Sequence, residues 1–261
     1  MTETMKKLTI LLAVMAVFMA VTPAVAQNYG IVFGELEVTE TNASDIFGDG
    51  MAWYDAEQNK LVLQDGFIYR LSHDFVTINT GREFRIVLEG AAEMSASVDC
   101  DDPIVVEAVD EGVLKITSNI SGSALKCQKL TVMTGVMLDL LSRNSPSDMH
   151  ALDCDELVVN AAVIHAEVTT AQLAVAAKSM TLNNCWLQRP AGGGVNANYG
   201  GICFADGTPA KFVRIIAEGY GLQEGNVPDQ NAQVEKLYED GRIVIVKDGK
   251  RYDITGREMN K

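Results

Sequence analysis

Three cysteines, Cys100, Cys127 and Cys154, stand 27 residues apart in VDCDDPIV, LKCQKLTV and LDCDELVV. Thiolates in a repeated frame suggest two things: a ligand set for a soft metal, or a repeated structural slot. Zinc needs deprotonated ligands converging on one ion, usually from C-x-x-C pairs. The chain has no such pair, so neither a metal nor another cofactor is expected. Cysteine is also small, apolar and often buried, and an inward-facing ladder explains the spacing without an ion.

Charged residues flank each cysteine. Asp99, Lys126 and Asp153 precede them, and Asp102, Lys129 and Glu156 lie two positions after. Both columns read acid, base, acid. Stacked opposite charges gain a few tenths of a kcal/mol per pair, up to about 1, so two charge ladders that control register are expected. Calcium wants gathered carboxylates without lysines. Asp101 and Asp155, with Gln128 between them, are the one place where a weak calcium site is conceivable.

Glycoside hydrolysis needs two carboxyls flanking a sugar. Asp139 and Glu167 fall at like positions of neighbouring repeats and are the candidate pair. His150 and His165 lack a nucleophile in a recognised motif, so structural roles are expected for both. Phosphate-loop, dinucleotide and metalloprotease motifs are absent from the sequence. Trp186, Tyr199 and Phe204 cluster near the end of the repeats; exposed rings of this kind stack on sugar faces, and they are the candidate ligand-binding residues. The competing reading has Trp186 packing the end of the core.

The elements that carry these residues repeat. ALKCQKLTVMTGVMLDL begins at Ala124, ALDCDELVVNAAVIHAE at Ala151 and AVAAKSMTLNNCWLQRP at Ala174. LSHDFVTIN at Leu71 fits the same frame with His73 in the cysteine slot, and Ala177 fills it in the last unit. Within each unit the apolar period is two. In LDCDELVV, Leu152, Cys154, Leu157 and Val159 point one way, and Asp153, Asp155 and Val158 the other. Short strands at a 23–27 residue repeat predict an all-β chain. The specific expectation is a short right-handed parallel β-helix of about five coils, with an N-terminal β cap and a C-terminal hairpin module.

The expected organisation runs as follows. Residues 1–26 form a signal peptide: Lys6 and Lys7, the apolar run LTILLAVMAVFMAV, then Ala24-Val25-Ala26. Residues 27–70 form the cap, 71–217 the solenoid, 218–233 a polar linker and 234–261 a hairpin turning at Asp248-Gly249. In that hairpin Val244, Val246 and Tyr252 are expected on one face. The whole chain carries a formal charge of −14; without Glu3, Lys6 and Lys7 it is −15. Such a chain is repelled by nucleic acid and anionic membranes. Five cysteines, an odd number, argue against a complete disulfide framework. No membrane span is expected after leader removal, and a monomer is expected.

Two segments resemble known families. LEVTETNASDIFGDGMAWYDAEQNKLVLQDGFI is similar to the opening of a family of surface repeat proteins of gut bacteria, from the Bacteroidetes. That resemblance, covering Val38 to about Gln188, implies a β-helical fold and carbohydrate binding, with no catalytic residues to carry over. Residues 242–261, with Val244, Val246, Tyr252 and Gly256, resemble the C-terminal sorting domain of the type IX secretion route, which implies contact with secretion machinery. The function expected is that of a non-enzymatic exported or cell-surface solenoid binding a polysaccharide or other surface glycan, located in the periplasm, at the outer surface or outside the cell. The alternatives are a polysaccharide lyase or glycoside hydrolase on a β-helix, and a purely structural spacer.

Overall fold

The computed structural model describes residues 26–119, 122–143, 149–218, 235–239, 242–247 and 250–252. The expected leader, apart from Ala26, the linker from 219 and the Asp248-Gly249 turn lie outside them. Among the described residues every regular element is a strand. They divide into two compact units between Glu218 and Gly219.

The first unit opens with β1 (Asn28–Phe33), β2 (Leu36–Thr39) and β3 (Ala52–Asp55). Then come β4 (Lys60–Gln64), β5 (Phe67–Ile78), β6 (Phe84–Glu89), β7 (Ala91–Cys100), β8 (Ile104–Ala108) and β9 (Gly112–Ser118). The later coils hold β10 (Leu125–Val132), β11 (Val136–Ser142), β12 (Leu152–Asn160), β13 (Val163–Val168), β14 (Val175–Asn183) and β15 (Cys185–Arg189). The unit closes with β16 (Gly194–Asn196), β17 (Gly201–Cys203) and β18 (Phe212–Ala217).

Parallel pairing builds three faces. On the first, β4, β6, β8 and the second halves of β10, β12 and β14 stack in order. On the second, the start of β5, the start of β7, β9, β11 and β13 stack. On the third, the end of β5, the end of β7 and the first halves of β10, β12 and β14 stack. One passage over three faces is one coil, and the chain makes about five: a parallel β-solenoid. Parallel pairing begins at Lys60 and Phe67, so the last strands of the segment expected as a cap belong to the first coil.

The period-two reading of the repeats describes the core. Leu152, Cys154, Leu157 and Val159 are buried, while Asp153, Asp155 and Val158 are not. Leu125, Leu152 and Val175 pair across β10, β12 and β14, as do Cys127, Cys154 and Ala177. All these inward residues are buried. Each large aliphatic side chain withdrawn from water contributes about 1.5–3 kcal/mol, and a one-residue slip would turn the whole set outward. His73 does not hold the cysteine slot of the first coil. A register shift between Arg70 and Phe75 carries the strand past it, and Ile78 pairs with Cys100. The coil step at this slot is therefore 22 residues, then 27, 27 and 23.

An open solenoid end exposes backbone edges and core, which must be covered. At the N-terminal end, β1 runs antiparallel to β5 and β3 antiparallel to β4. Phe33 packs edge-on against Phe47 and Tyr69, with ring centroids 5.2 and 5.3 Å away. The NASDIFGDG stretch makes the turns of this cap: Asp45 Oδ1 accepts the amides of Asp49 and Gly50, and Asp49 Oδ1 that of Met51. Tyr54 donates to Asn59 Oδ1 at 2.5 Å, and Asn59 Nδ2 donates to Thr80 Oγ1 and Glu83 O at 2.9 and 2.7 Å. Those motif residues are thus accounted for by turn and tether geometry. At the other end, β18 lies antiparallel between β13 and β15, and β17 pairs antiparallel with β14.

The second unit is a three-stranded antiparallel sheet of β19 (Glu235–Glu239), β20 (Arg242–Lys247) and β21 (Lys250–Tyr252). It has one strand more than the expected hairpin. Tyr252 pairs with Ile245, so its place in the register is out of phase with Val244 and Val246.

Candidate ligand-binding cleft

The third face brings the first predicted charge column together. Thr77, Asp99, Lys126, Asp153 and Ala176 are successive partners across five coils. Lys126 Nζ lies 3.3 Å from Asp99 Oδ1, and Asp153 is its neighbour on the opposite side. The second column forms only in part. Lys129 pairs with Glu156, Nζ to Oε2 at 3.0 Å. Asp102 is not in it, because Leu130 pairs with Ile104, which sets Pro103 beside Lys129. One extra residue between Cys100 and Ile104 displaces the acid. Asp102 instead binds the preceding corner: its Oδ2 accepts Thr80 N at 2.9 Å, Gly81 N at 2.8 Å and Thr80 Oγ1 at 3.2 Å.

Beside the first column sits Phe75, which the sequence reading did not single out. It pairs with Ser97, faces outward and is 45% exposed. Its ring approaches Gly122: a Cβ there would lie 3.3 Å from Phe75 Cε1 and 2.5 Å from Ser97 Oγ. A side chain at 122 would therefore close the space between ring and corner. Phe75, Ser97, Asp99, Ser123, Lys126 and Asp153 line a cleft of about 250 Å³. Its floor is held by hydrogen bonds. Ser97 Oγ donates to Ser123 O, and Ser123 Oγ accepts His150 N at 3.2 Å. His150 Nδ1 is 2.8 Å from Leu173 O, so this histidine ties one corner to the next. The cleft offers an aromatic face, one ammonium and two carboxylates, groups that meet a sugar ring and its hydroxyls.

The other candidates lie elsewhere. Asp139 pairs with Lys115 on one side and His165 on the other, whereas Glu167 pairs with Leu141. The proposed carboxylate pair is two residues out of phase and is not formed. His165 belongs to an outward column on the second face: Glu93, Lys115, Asp139, His165, Arg214. Burial holds its pKa below the ordinary histidine value, Arg214 lowers it further, and Asp139 opposes them. The ring of Phe212 is 6.4 Å away, and His165 Nε2 has no hydrogen-bond partner among the described residues.

Trp186, Tyr199 and Phe204 are 42%, 55% and 48% exposed. Trp186 pairs with Ile216 on β18 and is not packed into the end of the core. No ring contact joins any two of the three among the described residues. They stand on separate parts of the C-terminal cap: Trp186 in β15, Tyr199 in the β16–β17 turn and Phe204 after β17.

Cys100, Cys127 and Cys154 are buried, with no disulfide. Burial pushes the thiols of Cys100 and Cys154 up to about 12, and raises that of Cys127 well above its usual value. Among the described residues no group of three or more His, Cys, Asp or Glu side chains is placed to hold a metal ion. Asp155, half of the conceived calcium site, faces Lys178 Nζ at 2.7 Å. No described helix is long and apolar enough to cross a membrane.

No family model, no curated protein and no solved structure matches this chain.

Proposed function

We propose that the protein is a non-enzymatic, exported solenoid that binds a glycan in the cleft beside Phe75. The observation that carries this reading is the exposed phenylalanine seated against the acid–base–acid column. An exposed ring in such a cleft gives a hydroxyl-rich ligand an apolar platform, and Asp99, Lys126 and Asp153 supply orienting hydrogen bonds.

Chemistry at the same place is disfavoured by geometry. Asp99 and Asp153 are two strand spacings apart, roughly 9–10 Å between backbones. That approaches the separation of an inverting carboxylate pair. Lys126 stands between them in register, its ammonium 3.3 Å from Asp99, which supports a binding role for the two carboxylates over hydrolysis. Leader-directed export is consistent with the sequence of residues 1–26, and the tail from 242 with a sorting signal.

A glycan array followed by calorimetry on the mature chain tests this. Wild type binds at least one glycan class, and Phe75→Ala weakens that binding tenfold or more while the circular dichroism spectrum is kept. Absence of any glycan ligand, or equal binding by Phe75→Ala, overturns the proposal. Release of reducing ends or unsaturated uronates replaces it with the hydrolase or lyase reading.

A further inference from the structure

The N-terminal cap holds a second concavity, of about 350 Å³, built from different chemistry. β1, the β3–β4 turn and the corner after β5 enclose it. Its polar lining includes Gln27, Tyr29, Asn59, Asn79, Thr80 and Arg82. None of its lining residues is an acid, in a chain of net charge −14. Three nearby acids have partners: Glu37 accepts Asn28 Nδ2 at 2.8 Å, Asp102 holds Thr80 and Gly81, and Asp55 Oδ1 accepts the amides of Glu57 and Gln58.

The wall is held in place. Arg82 donates to Ala56 O, to Glu57 O at 3.4 Å and to the Tyr54 hydroxyl, which leaves two of the five N–H groups of a guanidinium. Gly30 backs the cleft at φ +74°, where a Cβ would fall 2.0 Å from Asn79 O; only glycine lets β1 lie this close. Tyr29 and Tyr54 lean on one another, ring centroids 5.1 Å apart at 52°, and Tyr54 is buried. The cleft thus presents hydroxyl and amide edges rather than an open ring face. The side chains of Gln27, Tyr29 and Asn79 line the cleft together with Arg82.

We propose that this cleft binds a small carboxylate carrying several hydroxyls, of the uronic-acid class, with its carboxylate on Arg82 and its hydroxyls on Tyr29, Asn79 and Gln27. A guanidinium matches a carboxylate in two parallel hydrogen bonds. A phosphate dianion would meet only one cation here. Neutral amides and a phenol satisfy hydroxyls as both donors and acceptors. The inference does not rest on the cleft beside Phe75, and the two are separately testable.

The test is ligand-observed NMR and calorimetry on the mature chain with glucuronate, glucose and inorganic phosphate. Glucuronate binds at least tenfold more tightly than either of the others. Asn79→Asp, isosteric but placing a negative charge in the cleft, weakens glucuronate tenfold or more. Tyr29→Phe, which removes only a hydroxyl, weakens it several-fold. Phe75→Ala leaves glucuronate binding unchanged. Undetectable glucuronate binding at millimolar protein and ligand, equal binding of glucose or phosphate, or full retention by Asn79→Asp overturns the proposal. Loss of glucuronate binding in Phe75→Ala alone assigns the ligand to the other cleft and overturns it too.

Discussion

Reversing the charge of Lys126 probes both the register of the third face and the electrostatics of the cleft. Lys126 is flanked in register by Asp99 and Asp153 and lies 3.3 Å from the nearer carboxylate. The side chains of Lys126 and Asp99 are 52% and 43% exposed, so water screens them. Losing an exposed pair costs about 0.2–1 kcal/mol. A glutamate adds two like-charge contacts at neighbouring-strand distance, each worth about 0.8 kcal/mol at 5 Å in bulk water. Lys126→Glu should therefore destabilise the solenoid by about 2–2.5 kcal/mol at low salt. For a unit of this size that lowers Tm by roughly 4–10 °C. Lys129 meets one acid, Glu156, and Pro103 on its other side, so Lys129→Glu should cost about half as much on the same reasoning. At 1 M salt, where the Debye length is about 3 Å, most of both losses should vanish. Calorimetric melts of the two variants at low and high salt measure this. Equal losses, or no loss for Lys126→Glu at low salt, would show that the three charges do not stack.

Cys127 and Cys154 should react with a thiol reagent at pH 8 only after urea unfolding, whereas half-buried Cys185 should label first; rapid native labelling of the first two contradicts the inward ladder. His165 has a folded pKa below its unfolded value, so the unfolded chain takes up the proton first. Stability should therefore be full above the unfolded pKa, about 6.5, and fall as pH drops below it. His165→Asn should flatten that part of a Tm-against-pH curve between pH 7.5 and 5. Gly135 sits at φ +81°, and a Cβ there would lie 2.5 Å from Asp110 O. Gly135→Ala should cost about 2–4 kcal/mol in urea melts, from the left-handed backbone and the overlap together. Deleting residues 219–261 should leave the Tm of the solenoid within about 1 °C, since that unit clusters separately and three short strands add little core.

The inner half of the fold was legible because stacking repeats one rule. Once Leu152, Cys154, Leu157 and Val159 are read as inward, pairing carries the assignment to Leu125, Cys127, Val175 and Ala177. The reading failed where the step length changed. Three extra residues between Arg70 and Phe75 cut the offset to the next coil from 25 to 22, so Ile78 and not His73 holds the slot. One residue between Cys100 and Ile104 removed Asp102 from its column. The Asp139–Glu167 pair fails for the same reason: β11 and β13 are offset by 26 residues, not 28. Phe75 gave no periodic signal, because it is outward in a strand whose register is set by that slip. The strand FVRIIA was visible, but its antiparallel seat between β13 and β15 was not, since alternation is the same in both directions.

This asymmetry bears on where function sits. An inward residue answers to the coils above and below it, so its identity is consumed by packing, and the cysteine ladder is such a case. An outward residue answers only to its neighbours along the face, and the solenoid tolerates any column without like charges stacked. Departures from a bland outward column are therefore the places to look. Two stand out: an exposed ring beside Asp99, Lys126 and Asp153, and a lone guanidinium among neutral amides at the cap. Neither is needed to close a coil. Phe75→Ala should lower Tm by no more than about 2–5 °C while weakening glycan binding tenfold or more, because a ring 45% exposed contributes only about 1 kcal/mol of burial. A large drop in Tm would instead make Phe75 a corner-packing residue and remove the cleft's claim to a ligand.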